Sequence, residues 1–210
     1  MKKFVYVNIL VWALLMFLFT PHSSGRTSGI TLVSKNGQNL PFYEDYQAVV
    51  VGVSSYRSWP KLPDAATDAG AIARRLEKIG FNIKLVMDPT YRQMETILRD
   101  LINPIGNKVS RGVLFYYIGH GATANLADNT RMGYIIPVDC PRLSQDPDGF
   151  LRHAISMKEI EAASMRMKAK HVIMLFDACF SGSQFVLERP APEAITSKSN
   201  MPVRQYIIAG

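Results

Sequence analysis

A cysteine and a histidine each stand where an apolar run stops. Cys179 follows Val172–Phe176 in HVIMLFDACFSGS, residues 171–183, and His120 follows the run in RGVLFYYIGHGA, residues 111–122. A free thiol is only a few per cent thiolate near neutral pH, so a nucleophilic cysteine benefits from a neighbouring base or cation. Two adjacent parallel strands ending in His and Cys would place imidazole and thiol together. Open α/β sheets put their chemistry at that carboxyl end. Each residue has an ordinary alternative. A lone cysteine is most often a small buried hydrophobe, and a lone histidine after a strand is most often structural. The pair, each member beside Gly or Ser in a tight turn, favours nucleophilic chemistry.

Other uses of these residue types fit less well. Cys179 has Phe185 six positions on, where a cysteine phosphatase needs an arginine. Two cysteines, Cys140 and Cys179, make no disulfide framework, and four scattered histidines show no zinc-ligand spacing. Cys140 reads as structural, and His22, His153 and His171 as incidental. The formal charge is +7; losing residues 1–25 would remove Lys2 and Lys3 and no acid, leaving +5. Without a dense basic block or an aromatic-interleaved basic stripe, nucleic-acid binding is not expected.

The paired motifs YYIGHG and DACFSG resemble those of the caspase-like cysteine peptidases, which include caspases, metacaspases and bacterial relatives. The order His then Cys and a separation of 59 positions fit the resemblance, which runs from about Tyr46 to the end of the chain. It implies a three-layer α/β/α sandwich around a mostly parallel sheet. It implies a thiol endopeptidase with Cys179 as nucleophile and His120 as general base and acid. The N–H groups of Gly121 and Cys179 would form the oxyanion hole. The residues show no third group to orient His120.

Asp177, two positions before the cysteine, is either a strand-end turn residue or a buried carboxylate facing the substrate side chain. Caspases carry Gln there and cleave after Asp. An acid there would attract Arg or Lys, as in metacaspases. Asp68, in LPDAATDA, matches the second acidic position of the metacaspase specificity pocket, with Asp64 a nearby competitor and a solvated helix position the plain alternative. Two carboxylates in one pocket would suit a guanidinium. The chain departs from the family in places. Ile118 stands where many relatives have a small Ser, and would narrow the pocket wall. The acidic cluster that carries calcium in metacaspases is not evident, and Asp128, Asp146 and Asp148 read as solvated loop acids. No cofactor is expected, and calcium dependence has no support.

The elements that must position this pair follow from periodicity. Strands are expected at Tyr46–Val53, Phe81–Met87, Gly112–Ile118, Val172–Phe176 and Gln205–Ala209, the last after a Pro- and Ser-rich linker, 186–202. Helices are expected at Ala65–Ile79, Tyr91–Ile102 and from Ser156 to about Lys168, where Ser156 and Glu159 form a capping box. Within 122–150, GYIIPVD reads as a short hairpin segment. Alternating strands and helices predict a parallel sheet with helices on both faces.

Residues 1–25 carry two lysines before a run of about 16 mostly apolar residues, the pattern of a secretory signal or an uncleaved anchor. Either would put the body on the far side of the membrane, exported or anchored. Residues 26–45 read as a linker and 46–210 as the catalytic domain. That domain is expected to be incomplete at its C-terminus, since the family adds a sixth strand and further helices. Two functions compete with the peptidase: a weak or inactive caspase-like binding or signalling module, and a small-molecule amidase or transferase using the same pair.

Overall fold

The computed structural model describes residues 43–180 and 202–209, together with the backbone of residues 31–33 and 39–41. The N-terminal signal or anchor, most of the linker 186–202 and the turn after Phe180 lie outside the described residues. Two short strands, β1 (Thr31–Val33) and β2 (Asn39–Pro41), pair antiparallel within the stretch read as a linker.

The main sheet contains β3 (Asp45–Gly52), β4 (Asn82–Met87), β5 (Arg111–Ile118), β9 (His171–Asp177) and β10 (Val203–Ala209). Its order is β10-β9-β5-β3-β4, and every pairing is parallel. The strands carrying His120 and Cys179 are therefore direct neighbours. Their register pairs Ile118 with Asp177, so the two candidate residues leave the sheet at the same level.

Side chains alternate across this sheet, as the strand period of two requires. Val49, Val51, Phe115, Tyr117, Met174 and Phe176 point into the larger core. Covering them are α2 (Tyr91–Ile102), through Met94, Ile97, Leu98 and Leu101, and α4 (Met157–Arg166), through Met157, Ile160 and Ala163. Val50 and Ile118 point the other way, against Ala65, Ala69 and Ala73 of α1 (Pro63–Lys78). Small alanines let this helix approach the sheet closely. The result is the helix–sheet–helix layering expected of the sequence.

Helix starts follow local chemistry. Thr90 caps α2 and Ser156 caps α4, each in a reciprocal capping box with Gln93 and Glu159. α1 begins at Pro63, whose missing N–H is no loss in the first turn. A further short helix, α3 (Pro147–His153), is capped by Asp146, which accepts from the Gly149 N–H at 2.8 Å.

The 121–156 region is more ordered than a single hairpin segment. β6 (Gly121–Asn125), β7 (Arg131–Ile135) and β8 (Ile155–Ser156) form a separate antiparallel sheet that starts immediately after His120. Tyr134, Ile135 and Ile136 anchor it to the larger core.

At the opposite end of the strands, Arg111 holds both carboxylate oxygens of Asp45, at 2.5 and 2.7 Å. It also donates to the carbonyls of Pro104 and Ile105. This bidentate pair ties β3 to β5 away from the candidate site.

Candidate active site

Both main-chain polar groups of His120 are engaged. Its N–H donates to the Tyr56 hydroxyl at 2.7 Å, and its carbonyl lies 2.9 Å from the Tyr117 hydroxyl. The two tyrosine hydroxyls are 3.3 Å apart. Tyr117 also bridges to the Ile136 main chain, through its carbonyl and its N–H. Burial pushes the Tyr56 phenol up to about 12 and raises the Tyr117 phenol well above its ordinary value, so both remain protonated donors. The His120 ring packs between Tyr56 and Trp59, with centroids 4.7 and 5.5 Å away.

Nε2 of His120 lies 2.8 Å from the carbonyl oxygen of Pro60. A carbonyl only accepts, so Nε2 carries the proton in the neutral ring and Nδ1 keeps the lone pair. The sequence carries no mark of this orienting group because it is a main-chain oxygen, which any residue type supplies. The loop carrying it is pinned at several points. Asp88 accepts from the Ser54 and Ser55 N–H groups at 2.6 and 2.9 Å. Burial works against the charged Asp88, but these bonds outweigh it and hold the carboxyl below the usual range. The Trp59 indole donates to the Cys140 carbonyl at 3.1 Å, and Arg142 Nε donates to the Ser58 carbonyl at 2.6 Å.

Both glycines around His120 sit at close contacts, Gly119 the tighter of the two. A Cβ on Gly119 would sit 2.6 Å from the hydroxyls of both Tyr56 and Tyr117, displacing the pair that holds His120. A Cβ on Gly121 would lie 3.1 Å from the Cys179 carbonyl and 3.0 Å from the Phe180 ring. The turns after β5 and β9 are thus apposed, and the Gly119 N–H donates to the Asp177 carbonyl at 3.2 Å. Cys179 is exposed, whereas Cys140 is buried, and burial pushes the Cys140 thiol up to about 12. An exposed thiol is available to a ligand; Cys140 is packed inert.

Asp68 and Asp177 are both exposed, so the buried carboxylate considered for Asp177 is not found. The two nevertheless act on one group. The Tyr116 phenol is raised by burial first, then by the negative charges of Asp177 and Asp68. Tyr116 stands two positions before Ile118 on the same sheet face, packed against the cluster that α1 covers. Ile118 itself is buried against α1 and spent on the core. Asp128 accepts from Thr130 and Asp146 caps α3, so these loop acids have local uses.

A parallel five-stranded sheet with helices on both faces, and a Gly-His-Gly turn apposed to a Cys-bearing turn, defines a caspase-like α/β domain. The chain belongs to the caspase-domain peptidase family, whose model matches residues 46–208. Over 103 residues it is 28% identical to the human Mucosa-associated lymphoid tissue lymphoma translocation protein 1; the match takes in 48% of this chain and 11% of that protein's length. A crystal structure of a Geobacter sulfurreducens protein superposes with a TM-score of 0.53 at 18% identity, covering 66% of this chain and 52% of the other, a likeness of fold alone.

Proposed function

We infer that this chain is a cysteine endopeptidase with a His120–Cys179 dyad that cleaves after Arg or Lys. The observation that carries the reading is the apposed pair of turns on neighbouring strands, with His120 held in one tautomer by the Pro60 carbonyl. Nδ1 takes the Cys179 proton and the thiolate attacks the peptide carbonyl. The C–N bond breaks, the leaving amine takes the proton from the imidazolium, and water hydrolyses the thioester. Gly121 and Cys179 N–H groups are assigned to the oxyanion. Asp68 and Asp177, whose charges meet at Tyr116, are assigned to the basic side chain before the scissile bond. No calcium is required in this reading, and residues 1–25 export or anchor the enzyme.

The test is labelling of Cys179 by electrophilic peptides ending in Arg or in Asp, with hydrolysis of matched substrates. Arg peptides should label and be cleaved. Asp177→Asn should cost about 30- to 1000-fold in kcat/KM for Arg and Lys substrates, and much less for neutral ones. Labelling by the Asp peptide alone would overturn the acidic pocket. No labelling by either would return the chain to the binding-module reading.

A further inference from the structure

On the other side of His120 from Tyr116 and the two acids lies a cavity of about 560 Å³. His120, Gly121 and Ala122 line it together with Trp59, Pro60 and Leu143, which make much of the lining apolar. Trp59 and Leu143 pack on the larger core, opposite the face that α1 covers. We propose that this cavity is the subsite for the residue that follows the scissile bond, and that it selects a bulky apolar or aromatic side chain while rejecting a cationic one. The proposal rests on the peptidase reading.

The direction follows from the chemistry. If the residue before the bond lies toward Asp68 and Asp177 and its carbonyl points at Gly121, the leaving residue departs past the imidazole that protonates its amine. That path enters the cavity. The volume takes a large side chain together with some of its backbone.

The walls are preformed. Trp59 is locked by its bond to the Cys140 carbonyl, and Arg142 by its bond to the Ser58 carbonyl. Arg142 also lines the cavity and has no carboxylate partner among the described residues. Its charge beside an apolar surface opposes a second cation. Thr123 also lines the cavity, its hydroxyl oxygen buried and without a hydrogen-bond partner among the described residues.

The experiment uses the full chain with internally quenched peptides that vary only the residue after Arg: Gly, Leu, Phe, Asp or Lys. An Arg-aminomethylcoumarin, which has no amino acid after the bond, runs beside them. Phe and Leu should exceed Gly by about 10- to 100-fold in kcat/KM, with Lys below Gly. Leu143→Ala should reduce the Phe-over-Gly ratio several-fold. Arg142→Gln should raise Lys relative to Phe by about 10-fold, while Arg142→Lys should keep Lys rejected. Coumarin release with equal rates across the peptides, or ratios unmoved by these variants, would overturn the subsite alone. Silence of the coumarin and of every peptide would overturn the peptidase reading and the subsite with it.

Discussion

Nε2 of His120 stands 2.8 Å from the carbonyl oxygen of Pro60, 60 positions earlier in the chain. That single contact decides which imidazole nitrogen can take a proton. It also makes the loop from Ser54 to Leu62 part of the site's positioning, although no side chain of Pro60 is involved. Removing the imidazole should remove the base without disturbing the fold. His120→Ala is expected to lower kcat by at least about 10²-fold, and Cys179→Ala to abolish hydrolysis, with thermal unfolding close to that of the parent. Full activity in Cys179→Ala would reject the nucleophile assignment.

The tyrosine pair makes a separate prediction. Tyr56→Phe leaves the His120 N–H without its acceptor in a buried setting, which should cost about 1–3 kcal/mol of stability. The loosened ring should lower kcat more than it raises KM. Tyr117→Phe should lose stability on a similar scale, since its hydroxyl meets the main chain of both His120 and Ile136. Denaturant unfolding combined with steady-state kinetics measures both effects. An unchanged kcat in Tyr56→Phe would separate the hydroxyl from catalysis.

Asp88 is expected to act on the site at a distance, through the loop it anchors. Asp88→Asn keeps the size but gives up the charge that receives two main-chain N–H groups. A loss of about 1–2 kcal/mol is expected, with reduced kcat/KM for every substrate alike. Because the folded carboxyl lies below its ordinary value, this contribution is present above pH ~4 and disappears as the pH falls through the lowered folded value. Specificity shifting without any change in stability would contradict the anchoring role.

The Asp45–Arg111 clamp should govern acid stability far from the chemistry. The Arg111 hydrogen bonds hold the Asp45 carboxyl below its ordinary value, with burial working against them. The sign is therefore that of a depressed acid: the contribution is full above pH ~4 and is lost on acidification below it. Asp45→Asn should cost about 1.5–3 kcal/mol at neutral pH and flatten the acid limb of the stability curve. Unfolding midpoints from pH 2.5 to 7 for the two proteins give the comparison. An acid limb that is the same in both would place the linkage elsewhere.

Much of this molecule is written in local pattern. The apolar run Val172–Phe176 and the run in RGVLFYYI are strands because they are short, apolar and bounded by small residues. The 3.6-residue spacing at Tyr91–Ile102 is a helix with the same limits in the structure. Ser156 and Glu159 form the expected capping box because both partners lie within one turn. Identity and spacing of His120 and Cys179 likewise come straight from the chain.

Tertiary structure decided whatever depends on groups that every residue carries or on contacts remote in sequence. The Pro60 carbonyl leaves no mark in the sequence because all residues have one. Tyr56 and Tyr117 meet at His120 only after β3 and β5 pair, and Gly119 is needed because two hydroxyls converge on it. In the small sheet, β7 pairs with β8 across about 20 residues of sequence, beyond what a period of two can register. Ile118 reads as a pocket wall from its place beside the motif, yet strand alternation and the helix packed on that face turn it into core. Periodicity reports which way a side chain faces along its own element, and only packing determines what that face meets.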